Sequence, residues 1–354
     1  MKNSRSEYID ILRGVIILDM ILVHNSSLFS GDAGLFYSKI IGYTDIAIEG
    51  FLVLFGMMIG GHYYKNYLKN SKIAILRILK RALYFIALHY GMVLTIGILF
   101  FYNHYGVGAA GKSIGRYLFE SLFFLNQMPL LHILPTFIPL LFLTLLVFPI
   151  LKKNFDQLLI ILSFVFFILG TIDPYIFNIG DKTIFPIILW QVYFVIGVIL
   201  GKYFIFDKKQ PKRSISFHLF FASTCVAIFS ILYFGHHFSE WIGSLKFFYG
   251  IKITKFPLNT FGFLYRSSIL YLVACLTFMV YKYSPSPKNS IGRFFKLFGR
   301  NALDVFIIHI YFNAITLILQ ADFAQWKHFI IWIGFLSNII FTTALIRYRE
   351  YQNK

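Results

Sequence analysis

Residues 10–24 carry Asp10, Arg13, Asp19 and His24 in a run that is otherwise almost entirely aliphatic (DILRGVIILDMILVH). Arg13 and His24 are eleven residues apart. In a helix that is about three turns, so the two share a face at a separation of roughly 16 Å along the axis. Asp10 precedes Arg13 by three residues and can pair with it. Asp10, Arg13 and His24 therefore form one polar stripe, while Asp19 points to the other side and must meet a different helix. A guanidinium binds carboxylate or phosphate. An imidazole can take a proton or attack as a nucleophile. Ionisable groups in apolar spans usually face a bundle interior and act on substrate.

Further candidates lie in other apolar runs. Asp45 and Glu49 precede a glycine-containing stretch, GFLVLFGMMIGG, in which Gly50, Gly56, Gly60 and Gly61 suit close helix packing. Arg77 and Arg81 are i,i+4 neighbours, and His89 follows two turns deeper. The arginines read either as ordinary charge at a membrane surface or as a phosphate-holding cluster. His132 sits among Pro129, Pro135 and Pro139, where a broken helix lining a cavity is expected. Trp190-Gln191, Arg266, Asn301, Asp304, His309 and Asn313 complete the set, with His309 and Asn313 on one face by i,i+4 spacing. Together they predict a polar cavity shared by several helices. Cys225 and Cys275 lie in apolar runs and read as small core residues. No metal-ligand or dinucleotide motif is present, so no bound cofactor is expected.

The elements that must position these groups follow from composition. The chain has 354 residues, of which 58% are hydrophobic, 20% aromatic and 14% charged. A soluble domain carries about 25% charge, so a soluble globule is excluded. Disorder is excluded by the aromatic content. A bilayer-spanning helix needs about 20 mostly apolar residues. Ten such stretches occur, at approximately 10–30, 45–64, 80–102, 130–151, 157–174, 183–204, 215–234, 262–282, 297–319 and 327–346. The charges inside the first make it a span and not a cleaved leader. The expected fold is all-α, a single polytopic membrane domain over 1–354 with about ten transmembrane helices around a polar cavity. The net charge is +18. With the N-terminus inside, 23 of the 33 basic residues fall on the cytoplasmic side, nine fall outside and Arg13 lies within span one. That bias places both termini in the cytoplasm and removes nucleic acid as a partner. Two outer loops, 103–129 and 235–261, are long and aromatic. Ser113 to Asn126 reads as an amphipathic or re-entrant helix.

Taken in order, these motifs resemble the acyltransferase-3 superfamily of integral-membrane O-acyltransferases, and its OpgC branch in particular. Arg13 and His24 after an acidic residue resemble the superfamily signature. Ile9-Asp10-Ile11-Leu12-Arg13-Gly14 is similar to the branch's "LDFxRG" start, and Glu49 to Gly56 to its "ExFVFLSG". Arg77 to His89 is similar to its basic entry followed by "AH". Leu131-His132-Ile133-Leu134-Pro135 is similar to "LxxLPLY", and Pro186, Trp190, Gln191 and Gly197 to "NPxxWQxxFxxG". Lys255, Leu258 and Arg266 follow "KxxLxPxR" loosely. Leu297 to His309 is similar to "LGRxSLxVFxxH". Val23, Phe55 and Thr136 depart from the branch's Asp, Ser and Tyr.

The resemblance implies transfer of a succinyl or acetyl group from cytoplasmic acyl-CoA to a hydroxyl of a periplasmic or cell-envelope glycan, in a bacterial inner membrane. It implies His24 as base or acyl carrier. Arg13, Arg77 and Arg81 would bind the donor's phosphate end or a succinyl carboxylate. Asp10, paired with Arg13, and Glu49 would complete the catalytic set with His24 and Arg13, and His89, His132, Trp190, Gln191, Arg266 and His309 would line the substrate cavity. The competing reading is a transporter or exporter of a glycan or lipid-linked intermediate, which intramembrane charge and broken helices also suit; the lack of an inverted repeat weighs against it.

Overall fold

The structure is a computed structural model that describes residues 4–26, 28, 45–96, 116, 119, 133–173, 186–207, 214–242, 258–283 and 290–352. Among these the chain is helical throughout, with no strand beyond a single bridge residue at Leu258. Among the described residues five stretches are long and apolar enough to cross a membrane: Leu134–Lys152, Ile187–Phe206, Thr260–Tyr283, Ala302–Gln320 and His328–Gln352. Two more, Asp156–Ile172 and Ile215–Ile231, are apolar but shorter. The first of these two turns Ile161, Val165, Phe166, Ile168 and Ile172 outward. An apolar face of that extent belongs in lipid, not water.

The chain divides into two compact units. One comprises residues 1–50, 92–117 and 277–354; the other comprises 51–91 and 118–276.

In the first unit, helix α1 (Ser4–Ser26) starts with Glu7 in its first turn, where a carboxylate complements the helix dipole. Its end is marked by Ser26, whose hydroxyl turns back to the Val23 carbonyl at 2.8 Å. Helix α2 (Ala47–Met58) begins in this unit, with Glu49 in its first turn. A side chain at Gly50 would strike Ile16 of α1.

The second unit holds the rest of α2, which continues through a π turn (Ile59–Tyr63) into α3 (Tyr64–Lys69). Then come α4 (Ser71–Met92), α5 (Ile133–Lys152), α6 (Asp156–Ile172) and α7 (Ile187–Gly201), the last extended by a π turn (Lys202–Phe206). Helices α8 (Ile215–Ile242) and α9 (Thr260–Tyr283) follow, the latter passing into the first unit at Thr277. The core of this unit is a glycine contact. Gly56 and Gly60 of the 47–69 segment lie against the Phe194 and Val198 carbonyls of α7. Reciprocally, Gly197 and Gly201 lie against the carbonyls of Val53 and Met57. Four-residue spacing on both helices brings the backbones together, and the rings of Phe55, Phe85, Phe137 and Phe194 pack beside the contact.

The first unit closes with α10 (Ser290–Arg300), α11 (Ala302–Asp322) and α12 (Lys327–Gln352). Helix α10 is amphipathic: Arg293, Lys296 and Arg300 recur at helical spacing on one face, while Leu297 and Phe298 are buried. Asn301 ends it and starts the next helix. Its side-chain amide donates to the Leu297 carbonyl at 2.9 Å, beside its own backbone N–H at 3.3 Å, and its carbonyl accepts from Val305 N–H at 2.9 Å. Helices α11 and α12 run back along one another, with Gly334 against Thr316 and Arg349 paired to Asp304 at 3.0 Å.

Several expected features change. Pro139 and Pro149 sit inside an unbroken α5, and Pro135 occupies its first turn. A first-turn proline gives up an N–H that has no partner anyway. The expected loop 235–261 begins later, because α8 continues to Ile242; only Gly235 weakens the helix there, and no proline stops it. The expected ninth span, 297–319, is divided at Asn301 between α10 and α11. His132, and Ser113 to Asn126 apart from Arg116 and Phe119, lie outside the described residues.

Candidate active site

The first unit contains all four residues expected to be catalytic, Asp10, Arg13, His24 and Glu49, together with His309. Helix α1 positions three of them through its contact with α10. A Cβ on Gly14 would run into the Phe295 carbonyl, and one on Gly299 would run into the Asp10 carbonyl. The two helices touch backbone to backbone. That proximity lets Arg13 Nη1 donate to the Gly299 carbonyl at 3.1 Å. Asp10 lies between two guanidiniums, with Oδ1 at 3.6 Å from Arg13 Nη1 and Oδ2 at 3.3 Å from Arg300 Nε. A second cross-helix pair, Lys296 with Glu7, holds the same contact one turn away.

Further along α1, His24 Nδ1 and His309 Nε2 are 2.9 Å apart, with the rings stacked at 4.9 Å between centroids and 26° between planes. His309 is fully buried. Its Nδ1 faces the Phe306 carbonyl at 3.4 Å, and its Nε2 is approached by Asn313 Nδ2 at 3.1 Å. A carbonyl only accepts, so Nδ1 of neutral His309 is the N–H nitrogen and Nε2 is the acceptor. His24 Nδ1–H then donates to His309 Nε2, whose single lone pair it shares with the Asn313 amide. This fixes the His24 tautomer with its lone pair on Nε2, the nitrogen through which an imidazole acts as a base. The end of α1 is tied to the α11/α12 hairpin by Asn25, which donates to the Ile331 carbonyl at 3.4 Å. Gln320 likewise donates to the Leu28 carbonyl at 2.9 Å.

Asp19 faces away from this stripe. Its Oδ2 accepts from Ile46 N–H at 3.1 Å, immediately before α2. That contact sets the start of α2, where Glu49 is 0% exposed.

The remaining expected site residues, apart from His132, lie in the second unit. Arg77 is exposed, and the Arg81 guanidinium lies over Phe85 at 4.8 Å and Tyr84 at 5.6 Å. His89 is buried beside Tyr90. Trp190 is fully buried and Arg266 nearly so. Gln191 clasps Ser163 of α6: its Oε1 accepts from Ser163 Oγ at 2.8 Å and its Nε2 donates to the Ser163 carbonyl at 2.7 Å. That geometry holds α6 to α7.

Two features escape a reading by sequence. Lys202 resembles any basic residue at a membrane edge, yet it is 6% exposed. It contacts both Asp156 oxygens at 2.8 and 2.9 Å and Asn154 Oδ1 at 3.3 Å. Asn154 adopts a positive φ of 58° at the α5–α6 turn, a conformation asparagine tolerates well. The second is a pocket of about 410 Å³ in the first unit, lined by Arg293, Lys296, Leu297, Arg300, Arg347 and Glu350. The amphipathic spacing in α10 is its signal in the sequence.

Among the described residues no group of three or more His, Cys, Asp or Glu side chains could hold a metal ion.

A comparison with curated proteins and one with solved structures each found no match. A comparison with protein families matches residues 5–352 to the family described as OpgC protein. The match runs from the first turn of α1 to the last residue of α12, across both helices that carry the histidine pair, and the chain belongs to the OpgC family.

Proposed function

We propose that the protein is an integral-membrane O-acyltransferase that moves a succinyl or acetyl group from cytoplasmic acyl-CoA to a hydroxyl of a periplasmic or cell-envelope glycan. Membership of the OpgC family supports a glucan-modifying acyltransferase. The observation that carries the chemistry is the His24–His309 hydrogen bond, which orients His24 and places its lone pair on Nε2. Some ten spans, both termini in the cytoplasm and an inner-membrane location complete this reading.

In the proposed reaction, His24 Nε2 takes the proton of the sugar hydroxyl as its oxygen attacks the thioester carbonyl carbon. The carbon–sulfur bond then breaks. The thiolate leaves and receives the proton back from His24, so the ester and free CoA are the products. His309 Nε2 accepts from the His24 Nδ1–H throughout and stabilises the imidazolium that forms, the orienting role a base's partner usually plays. Arg13, held by Asp10 and the Gly299 carbonyl, supplies positive charge on the same face of α1. Arg77, Arg81, His89, His132, Trp190, Gln191, Arg266 and Glu49 remain proposed substrate contacts or supports.

Labelled acyl-CoA supplied to the cytoplasmic face of membrane vesicles, with glycan enclosed, tests the reading. An acyltransferase moves label to the glycan and releases CoA; a transporter does neither. Acid quenching during turnover separates the two roles for His24, since label retained on that residue would make it an acyl carrier instead of a base.

A further inference from the structure

The pocket beside the start of α1 is lined mainly by cations. Four of its six residues are basic and one is acidic. Three basic groups, Arg293, Lys296 and Arg300, come from one face of α10, and Arg347 comes from the last turns of α12. Two of these cations are already engaged, Lys296 with Glu7 and Arg300 with Asp10. Arg293 and Arg347 make no ion pair among the described residues and both are exposed. Two exposed guanidiniums lining one concavity, with two more cations beside them, have the chemistry that suits phosphate oxygens, which guanidinium binds in a bidentate manner. Glu350 also lines the pocket, which disfavours a ligand whose negative charge extends to that side.

The position along α1 narrows the ligand. Arg300 marks one edge of the pocket and touches Asp10. His24 lies fourteen residues further along the same helix, roughly 21 Å away. A ligand with phosphates in the pocket and its reacting carbonyl at His24 must therefore be long and extended. A nucleotide thioester with a pantetheine arm has that form.

We infer that the pocket formed by Arg293, Lys296, Arg300 and Arg347 is a phosphate-binding site that seats the nucleotide end of the thioester donor. The donor assignment rests on the proposed acyltransferase function; the phosphate chemistry rests on the pocket. An anionic lipid headgroup presents the same chemistry, and the experiment separates the two sources.

The full chain in nanodiscs is titrated with labelled CoA, which carries no acyl group and needs no turnover. Discs are made of phosphatidylcholine alone or with phosphatidylglycerol. Arg293→Gln and Arg347→Gln are compared with wild type and with Arg349→Gln, whose partner Asp304 lies outside the pocket. Melting curves and size-exclusion profiles confirm that each variant is folded, and Arg347→Lys adds a variant that keeps the charge. The expected result is a loss of CoA affinity of roughly ten-fold or more for each pocket arginine replaced. No change is expected for Arg349→Gln, and partial recovery for Arg347→Lys. Unchanged CoA binding with selective loss of co-purifying phosphatidylglycerol would keep the phosphate site and make lipid its source. Wild-type binding of both CoA and phosphatidylglycerol in every folded pocket variant would overturn the inference. A wild-type protein that binds CoA through these arginines yet transfers no acyl group would support the pocket and count against the proposed function alone.

Discussion

Two helix crossings in this protein use glycine in the same way and carry opposite contents. At the α2–α7 crossing, four glycines let carbonyls and backbones touch, and the surroundings are phenylalanine rings. At the α1–α10 crossing, Gly14 and Gly299 produce the same backbone contact, and the surroundings are Glu7, Asp10, Arg13, Lys296 and Arg300. Close approach in the first case gives dispersion contact alone. In the second it also brings charged groups within hydrogen-bond range and fixes the register of a helix whose far end holds His24. The teaching is that a small-residue contact is a positioning device; its function is decided by what flanks it. The second unit has a polar lock of its own, between Lys202 and Asp156.

The sharpest test of this contrast is His24→Ala. Loss of a positioned general base lowers transfer by about 10³-fold or more, with helical content and melting unchanged. Full transfer activity in the folded variant would end the base assignment.

Lys202→Met probes the opposite side. It leaves the Asp156 carboxylate without its cation and should destabilise the second unit by about 3 kcal/mol or more. Thermal unfolding in detergent reads that loss, while turnover per folded molecule stays near wild type. A large drop in turnover without a stability change would erase the distinction between the two regions.

His309→Ala should reduce turnover by about 10²-fold, because the imidazole of His24 loses the partner that fixes its orientation. His309→Gln, which restores an acceptor, should recover part of it. If neither variant changes turnover, the stacked pair is packing and nothing more.

The glycines give smaller effects with different signatures. Gly60→Ala and Gly299→Ala each force a methyl group against a carbonyl and should cost about 2 kcal/mol of stability. Only Gly299→Ala should also lower turnover in the molecules that remain folded, since only that contact sets the register of α1. Equal effects on turnover would collapse the comparison. Smallest of all, Ser163→Ala removes half of the clasp on Gln191 and should cost about 1 kcal/mol in melting with little effect on turnover.

What could be read in advance follows from how local each signal is. The Asp10–Arg13 pair and the His309–Asn313 pair depend on spacing within one helix, and both recur in the structure. The pairing of His24 with His309 joins residues 285 positions apart, and no periodicity connects separate helices. Lys202 looked like an ordinary surface cation because burial depends on its neighbours, not its own type. Gln191 looked like a cavity residue for the same reason, although Ser163 engages both ends of its amide. The prolines of α5 misled in the other direction. Their cost falls on one backbone hydrogen bond each, which a helix packed on its neighbours withstands.

Asn301 ties two registers together. Helix α10 is fixed to α1 by Gly299, and α11 is fixed to α1 by His309, so the segment between them works as a phase setting. One residue inserted just after Asn301 would rotate all of α11 by about 100° and swing His309 off His24 while leaving α10 seated. Seven inserted residues would return it to within about 20° of its original angle, though two turns further along. The interval from Gly299 to His309 is thus a counted length: the chain can drift in composition there more freely than it can drift in number.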